Sequence, residues 1–343
     1  MWNQNEGASS HGQTAMDAQQ PPLLDVRDLK VHFPLKGGIL GKTVNVVRAV
    51  DGITFQIHAG ETVSIVGESG CGKSTTGRAI LRLVEPTAGE VYFDGKDLLS
   101  LSKAEMRKMR SQMQIIFQDP FASLNPRQTI RQILQEALEI QQVVPREQYA
   151  ERLNQLIERV GLRPEALDRY PHEFSGGQRQ RIGIARALAV EPRFIICDEA
   201  VSALDVSIQA QVLNLLQDLQ ELYQLTYLFI AHDLAVVRHI SDRIIVMYLG
   251  KIVEIAKKET LFSQPLHPYT KALLSSIPTV EAGERMERII LKGEVPSPLN
   301  PPQGCHFHTR CPMATTACKT VVPTLREVGP DHAVSCLLYQ END

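Results

Sequence analysis

One run constrains this chain more than any other: Gly67, Glu68, Ser69, Gly70, Cys71, Gly72, Lys73, Ser74. It fits G-x-x-x-x-G-K-[ST], a loop that cradles phosphate groups. Residues 62–66, Thr-Val-Ser-Ile-Val, read as a buried strand, and residues 75–84 read as a helix. The three glycines reach backbone angles closed to other residues, so the loop can turn its N–H groups inward as an anion nest. The following helix adds its positive end. In such a loop Lys73 reaches the β- and γ-phosphates, Ser74 ligates Mg²⁺, and Thr75 opens the helix beside them. The implied ligand is a nucleoside triphosphate, and the implied fold is an α/β P-loop NTPase with a parallel sheet core.

The chain has 343 residues, enough for about two domains, and its 43% hydrophobic residues can bury a sizeable core. A net charge of −3 gives no electrostatic argument for nucleic acid. No uncharged apolar stretch of about 18 residues occurs, so no spanning helix is expected. Residues 1–22 are polar, without Lys or Arg, and read as a disordered arm rather than a signal peptide. The expected location is the cytosol, with any membrane role reached through partners.

Residues 23–33, 44–50 and 53–57 look like strands of a mostly antiparallel opening section, residues 36–41 like a loop, and Asp51-Gly52 like a hairpin turn. Ser102-Lys103-Ala104-Glu105 is a capping box that predicts a helix to about Met113. Helical patterns fill 130–189, and Gly161 suits a position after a helix end. Residues 194–197, 227–230 and 244–247 read as strands, and 206–222 as an amphipathic helix. Strands alternating with helices imply a parallel sheet, with a helical subdomain inserted at about 119–190. From about residue 259 Pro, His and Cys accumulate, marking a C-terminal extension over 259–343 after a cassette over 23–258.

Residues 194–199, Phe-Ile-Ile-Cys-Asp-Glu, form an apolar strand ending in two acids. The C-terminal ends of parallel strands build the ligand crevice. Asp198 is assigned to Mg²⁺ and Glu199 to the attacking water. Ser175, Gly176, Gly177 and Gln178 open another helix and form a second anion site.

These elements resemble the ABC-type ATPases. Residues 174–181, Phe-Ser-Gly-Gly-Gln-Arg-Gln-Arg, are similar to that family's signature motif, Gln118 to its glutamine loop, residues 202–205 with Asp205 to its D-loop, and His232 to its switch histidine. Phe33 stands where the family stacks an aromatic ring on adenine. The resemblance implies a head-to-tail dimer, in which Ser175 and Gly177 of one cassette close on the γ-phosphate held by the other. It implies Glu199 as base, His232 as γ-phosphate contact, and Gln118 near metal and water. One cassette per chain means pairing with itself or with a paralogue.

Residues 69–72, 117–120, 123–127, 170–172, 246–250 and 267–270 are similar to the dipeptide and oligopeptide importer ATPases, most of all to their F-type subunit. Ala200 replaces the Pro that many members carry there. This resemblance implies two transmembrane permease subunits, with residues 119–127 lining the groove for a coupling helix. It also implies an extracytoplasmic substrate-binding protein and a peripheral position on the cytoplasmic face of the bacterial inner membrane. Cys305, Cys311, Cys318 and Cys336 lack the C-x₂-C spacing of common zinc sites, and His306, His308 and His332 lie among them. The family implies a [4Fe–4S] cluster in some members; zinc and unliganded thiols stay open. The competing class is a soluble ABC ATPase acting on nucleic acid or ribosomes. The chain lacks the coiled-coil insertion, second cassette and basic surface such proteins carry. A binding module without turnover would have lost Lys73 or Glu199, and both are present.

Overall fold

The computed structural model describes residues 21–37, 42–119, 123–142, 144–277 and 289–340. Residues 1–20 of the expected N-terminal arm, 38–41 of the expected loop and 120–122 of the expected coupling groove lie outside them. Two sheets carry the chain. β1 (Leu24–Gly37), β2 (Lys42–Ile57), β4 (Ala88–Phe93) and β5 (Lys96–Asp97) form an antiparallel sheet in the order β2-β1-β4-β5.

The second sheet is built from β3 (Thr62–Val66), β6 (Met113–Ile116), β7 (Phe194–Asp198), β8 (Thr226–Ile230), β9 (Arg243–Tyr248), β10 (Lys251–Lys257), β11 (Arg326–Gly329) and β12 (His332–Val334). Its order is β11-β12-β10-β9-β3-β8-β7-β6. The run from β9 to β6 is parallel. β3, β7 and β8 are buried at every position, as expected of parallel strands covered on both faces. The strands of the C-terminal extension, β11 and β12, join the sheet as its antiparallel edge, with β12 pairing Ala333 to Ile255 of β10.

Helices cover the faces: α1 (Lys73–Ile80) after β3, α2 (Lys103–Met109) before β6, and α6 (Val206–Tyr223), α7 (Leu234–Ile240), α8 (Lys258–Ser263) and α9 (Pro268–Leu274) further on. Between β6 and β7 the helical insertion contains α3 (Ile130–Gln141), α4 (Tyr149–Arg159) and α5 (Gly176–Leu188). Ile133, Leu134, Leu138, Leu153, Leu156 and Ile157 close its core at helical spacing. Thr129 and Ser175 start α3 and α5 with full capping boxes.

Two local expectations are corrected. Asp51-Gly52 is no hairpin turn. β2 runs through it, paired to β1 on both sides, with Lys30 opposite Asp51 and Leu29 opposite Ile53. Gly52, at φ 80°, absorbs a local irregularity, while the Asp51 carboxylate takes His32 Nε2 at 2.9 Å and Lys251 Nζ at 3.2 Å rather than capping a turn. The Ser102 capping box is present, but its helix stops at Met109, because Met113 is already buried in β6 opposite Phe194.

Candidate active site

The carboxyl ends of the parallel strands gather the sequence-predicted residues. The phosphate loop leaves β3, Asp198 ends β7 and Glu199 follows it, Ala231 and His232 follow β8, and Gln118 follows β6. Two of the loop's glycines are fixed by close backbone approach as well as by dihedral. A Cβ on Gly67 (φ 150°) would stand 2.2 Å from the Met247 carbonyl oxygen, and one on Gly72 (φ 106°) 2.1 Å from that of Ala49. No side chain fits at either position. The open Gly70, and Ser69 beside it, are exposed at the tip.

Lys73 is buried, and its Nζ donates to the carbonyls of Gly67 at 2.8 Å and Glu68 at 3.1 Å. Ser74 Oγ donates to Asp198 Oδ1 at 2.5 Å, which joins the two residues assigned to Mg²⁺. Arg78 on α1 stands 3.4 Å from the other Asp198 oxygen. Thr75 is half-buried on the same helix. Burial pushes the Cys71 thiol above its ordinary range, so it is a neutral packing residue here.

Glu199 sits at φ 49°, a left-handed angle uncommon for a residue with a side chain. Its N–H donates to the Ile230 carbonyl at 3.0 Å, which ties the turn to β8. Its carboxylate accepts the Gln118 amide at 2.8 Å and stands 3.6 Å from His232 Nδ1. Ser202 donates to the Glu199 carbonyl at 2.9 Å. Gln118, Glu199 and His232 therefore converge on one spot, beside the Ser74–Asp198 pair.

Ser175, Gly176, Gly177 and Gln178 form the first turn of α5. Ser175 Oγ accepts the Gln178 N–H at 3.4 Å, and the Gln178 side chain accepts the Ser175 N–H at 3.0 Å. Gly177 faces Ile208, where a Cβ would meet Cγ2 at 2.5 Å. Ser175 and Asp205 start two adjacent helices, and Asp205 is exposed. Phe33 is 39% exposed on β1, opposite Val47.

Sequence reasoning missed the partners of Glu68. Its N–H donates to Tyr269 Oη at 2.8 Å, and Arg310 forks onto its carboxylate at 2.7 and 3.1 Å. Glu68 raises the guanidinium of Arg310 above its usual range, chiefly by hydrogen bonding. Nothing local in the sequence announces either partner.

In the tail, Cys318 and Cys336 are buried and Cys305 and Cys311 half-buried. Burial first, with the other three thiols adding, pushes Cys305 up to about 11. The histidines are engaged elsewhere: His306 with the Leu249 carbonyl, His308 with that of Cys305, and His332 with Glu254 at 2.8 Å. Among the described residues no group of three or more His, Cys, Asp or Glu side chains is arranged to hold a metal ion. The donor type, four thiols, would suit an all-thiolate group, but their placement does not bring three of them together as a metal site, so donor type is the extent of the fit.

The ABC transporter family profile matches residues 50–202, and the profile of the oligopeptide/dipeptide transporter C-terminal region matches 253–318. An oligopeptide transport ATP-binding protein of Bacillus subtilis, AppF, is 55% identical over 325 residues, 94% of this chain and 99% of its own length. The chain belongs to the ATP-binding subunits of the oligopeptide ABC transporter family. A putative peptide import ATP-binding protein of Brucella ovis is 57% identical over 318 residues, covering 93% of this chain and 98% of its own. Among solved structures, the Clostridium perfringens cassette of a cbiONQ complex aligns with TM-score 0.61 at 27% identity, over 71% of this chain and 92% of its own. A bacterial ABC transporter cassette solved as a dimer aligns with TM-score 0.60 at 28% identity, over 68% of this chain and 98% of its own. As an ABC ATP-binding subunit the chain binds and hydrolyses ATP. No helix among the described residues is long and apolar enough to cross a membrane.

Proposed function

We propose that this ABC subunit energises import of dipeptides, oligopeptides or similar small peptides, working as one of two cassettes beneath two transmembrane permease subunits. A substrate-binding protein delivers the cargo outside, and the cassette lies on the cytoplasmic face of the inner membrane. The sequence and names of its relatives support this reading.

In the site, the Gly67–Ser74 backbone cradles the triphosphate and Lys73 moves from the Gly67 and Glu68 carbonyls onto it. Ser74, Asp198 and Gln118 would hold Mg²⁺, which would supply positive charge to the phosphates. Glu199 takes the proton of the attacking water, and His232 contacts the γ-phosphate. The adenine stacks on the exposed ring of Phe33. Ser175, Gly176, Gly177 and Gln178 meet the partner cassette's nucleotide with amides at the positive end of α5, and the exposed Asp205 lies at the seam. Closure of the two cassettes on ATP and their release after hydrolysis supply the working stroke.

The single observation that carries this reading is the meeting of Gln118, Glu199 and His232 beside Ser74 and Asp198 at the carboxyl ends of the parallel strands. No element of it calls for nucleic acid. For the tail we propose a [4Fe–4S] cluster on Cys305, Cys311, Cys318 and Cys336, supported by the all-thiol donor set. Reconstitution with permease subunits in vesicles tests the function. The wild type should drive ATP-dependent peptide uptake, and Lys73→Ala should abolish nucleotide binding and uptake together. Normal nucleotide binding by Lys73→Ala would refute the phosphate-loop assignment.

A further inference from the structure

The C-terminal tail reaches back into the phosphate loop. Arg310 lies between Cys305 and Cys311, and 242 positions separate it from Glu68, the carboxylate it clamps. The side chain of Arg310 is 8% exposed and that of Glu68 27%. The extension holds the same loop residue a second time, through Tyr269 Oη on its N–H. Both grips rest on one aromatic cluster, in which Phe307 packs on Tyr248 and Tyr269 with ring centroids 5.1 and 5.4 Å apart. The Arg310 N–H donates to the Phe307 carbonyl at 3.0 Å, and the Cys305 N–H to that of Cys318 at 2.9 Å. The backbone that carries Cys305 and Cys318 is thus tied to the segment that grips the loop.

Glu68 is a negative charge inside a loop built to attract polyphosphate. Unpaired, it would repel ATP and leave its segment free to shift. A bidentate guanidinium both neutralises it and fixes its orientation. Its carbonyl also receives Lys73, so displacement of Glu68 displaces the lysine that the triphosphate needs.

We propose that Arg310 is a positioning residue of the ATP site, clamping Glu68 so that the phosphate loop keeps its binding shape and joining the four-thiol tail to nucleotide binding. This rests on the phosphate-loop reading. Coupling of this kind is reciprocal: ATP binding must tighten the tail by the factor that the tail tightens ATP binding.

The test uses the full chain. MgATP affinity is measured for wild type, Arg310→Met, Glu68→Gln and the double variant. Arg310→Met should weaken binding roughly tenfold, and the double variant should recover most of that loss, because no carboxylate is left unpaired. Wild-type affinity in Arg310→Met with a lowered unfolding temperature, or additive losses in the double variant, would overturn the proposal. A second readout is iodoacetamide labelling of the reduced protein freed of any bound iron or zinc, read by mass spectrometry at Cys305 and Cys311 apart from Cys71. MgATP should slow labelling in wild type and not in Arg310→Met; equal rates with and without MgATP in wild type would overturn the coupling. Should Arg310→Met not fold, Arg310→Lys, which keeps the charge and loses the fork, takes its place in both measurements. Retained affinity in Lys73→Ala would instead refute the loop reading, which keeps the two failures distinct.

Discussion

The side-chain amide of Gln118 donates to the Glu199 carboxylate at 2.8 Å, joining the end of β6 to the end of β7. The bond orients the carboxylate proposed as the base, on a residue whose φ is 49°. Gln118→Ala should therefore spare ATP binding within roughly threefold and cut turnover at least about tenfold, a part of the roughly 10²–10⁴-fold that a positioned base contributes. Steady-state hydrolysis beside equilibrium ATP binding checks this; a loss of affinity with unchanged turnover would contradict it.

The motif glycines are not equivalent. Gly70 has open space where a Cβ would go, whereas Gly72 faces the Ala49 carbonyl oxygen at 2.1 Å. Gly70→Ala should carry only the cost of a left-handed angle, about 1–2 kcal/mol, and bind ATP weakly. Gly72→Ala must displace backbone of β2 and should lose nucleotide binding altogether. Titration of both variants with a fluorescent nucleotide decides; equal affinities would refute the packing argument.

His267 is buried, and burial holds its imidazole down at about 3. Its Nδ1 accepts the Tyr269 N–H at 3.1 Å as the cap of α9, a role open only to the neutral ring. With the folded value below the ordinary 6.5, the unfolded chain binds the extra proton between those limits. Stability is therefore full above about pH 6.5 and falls as pH drops toward 3, by about 1.4 kcal/mol per unit for this group alone. His267→Asn, which keeps an acceptor without a titration, should flatten the decline of unfolding midpoint between pH 6.5 and 5. An unchanged slope would remove His267 from the account.

The tail thiols supply another outcome. Anaerobically purified protein should contain iron and acid-labile sulfide, and Cys305→Ser should lower both. Metal-free Cys305, pushed up to about 11, should alkylate about tenfold faster per pH unit from pH 8 to 10. Stoichiometric zinc without sulfide would contradict the cluster.

Much of this was legible in the sequence because the chemistry is written in contiguous words. The phosphate loop, the signature turn and the Asp198-Glu199 strand end each combine glycines or acids with their flanking elements, and tertiary contacts did not override them. What escaped was set by distant packing. Asp51-Gly52 has the composition of a turn, but pairing with β1 on both sides held the strand extended. The Ser102 helix lost its last turn to the sheet position of Met113. The Arg310–Glu68 clamp and the pairing of β12 with β10 join segments whose local patterns give no hint of each other.

Glu199, as proposed above, activates water on an ATP molecule held by the Gly67–Ser74 loop. ATP hydrolysis by the assembled transport complex carrying Glu199→Gln measures this role directly. MgATP binding should be retained with turnover down by roughly a hundredfold or more. Undiminished hydrolysis would contradict it.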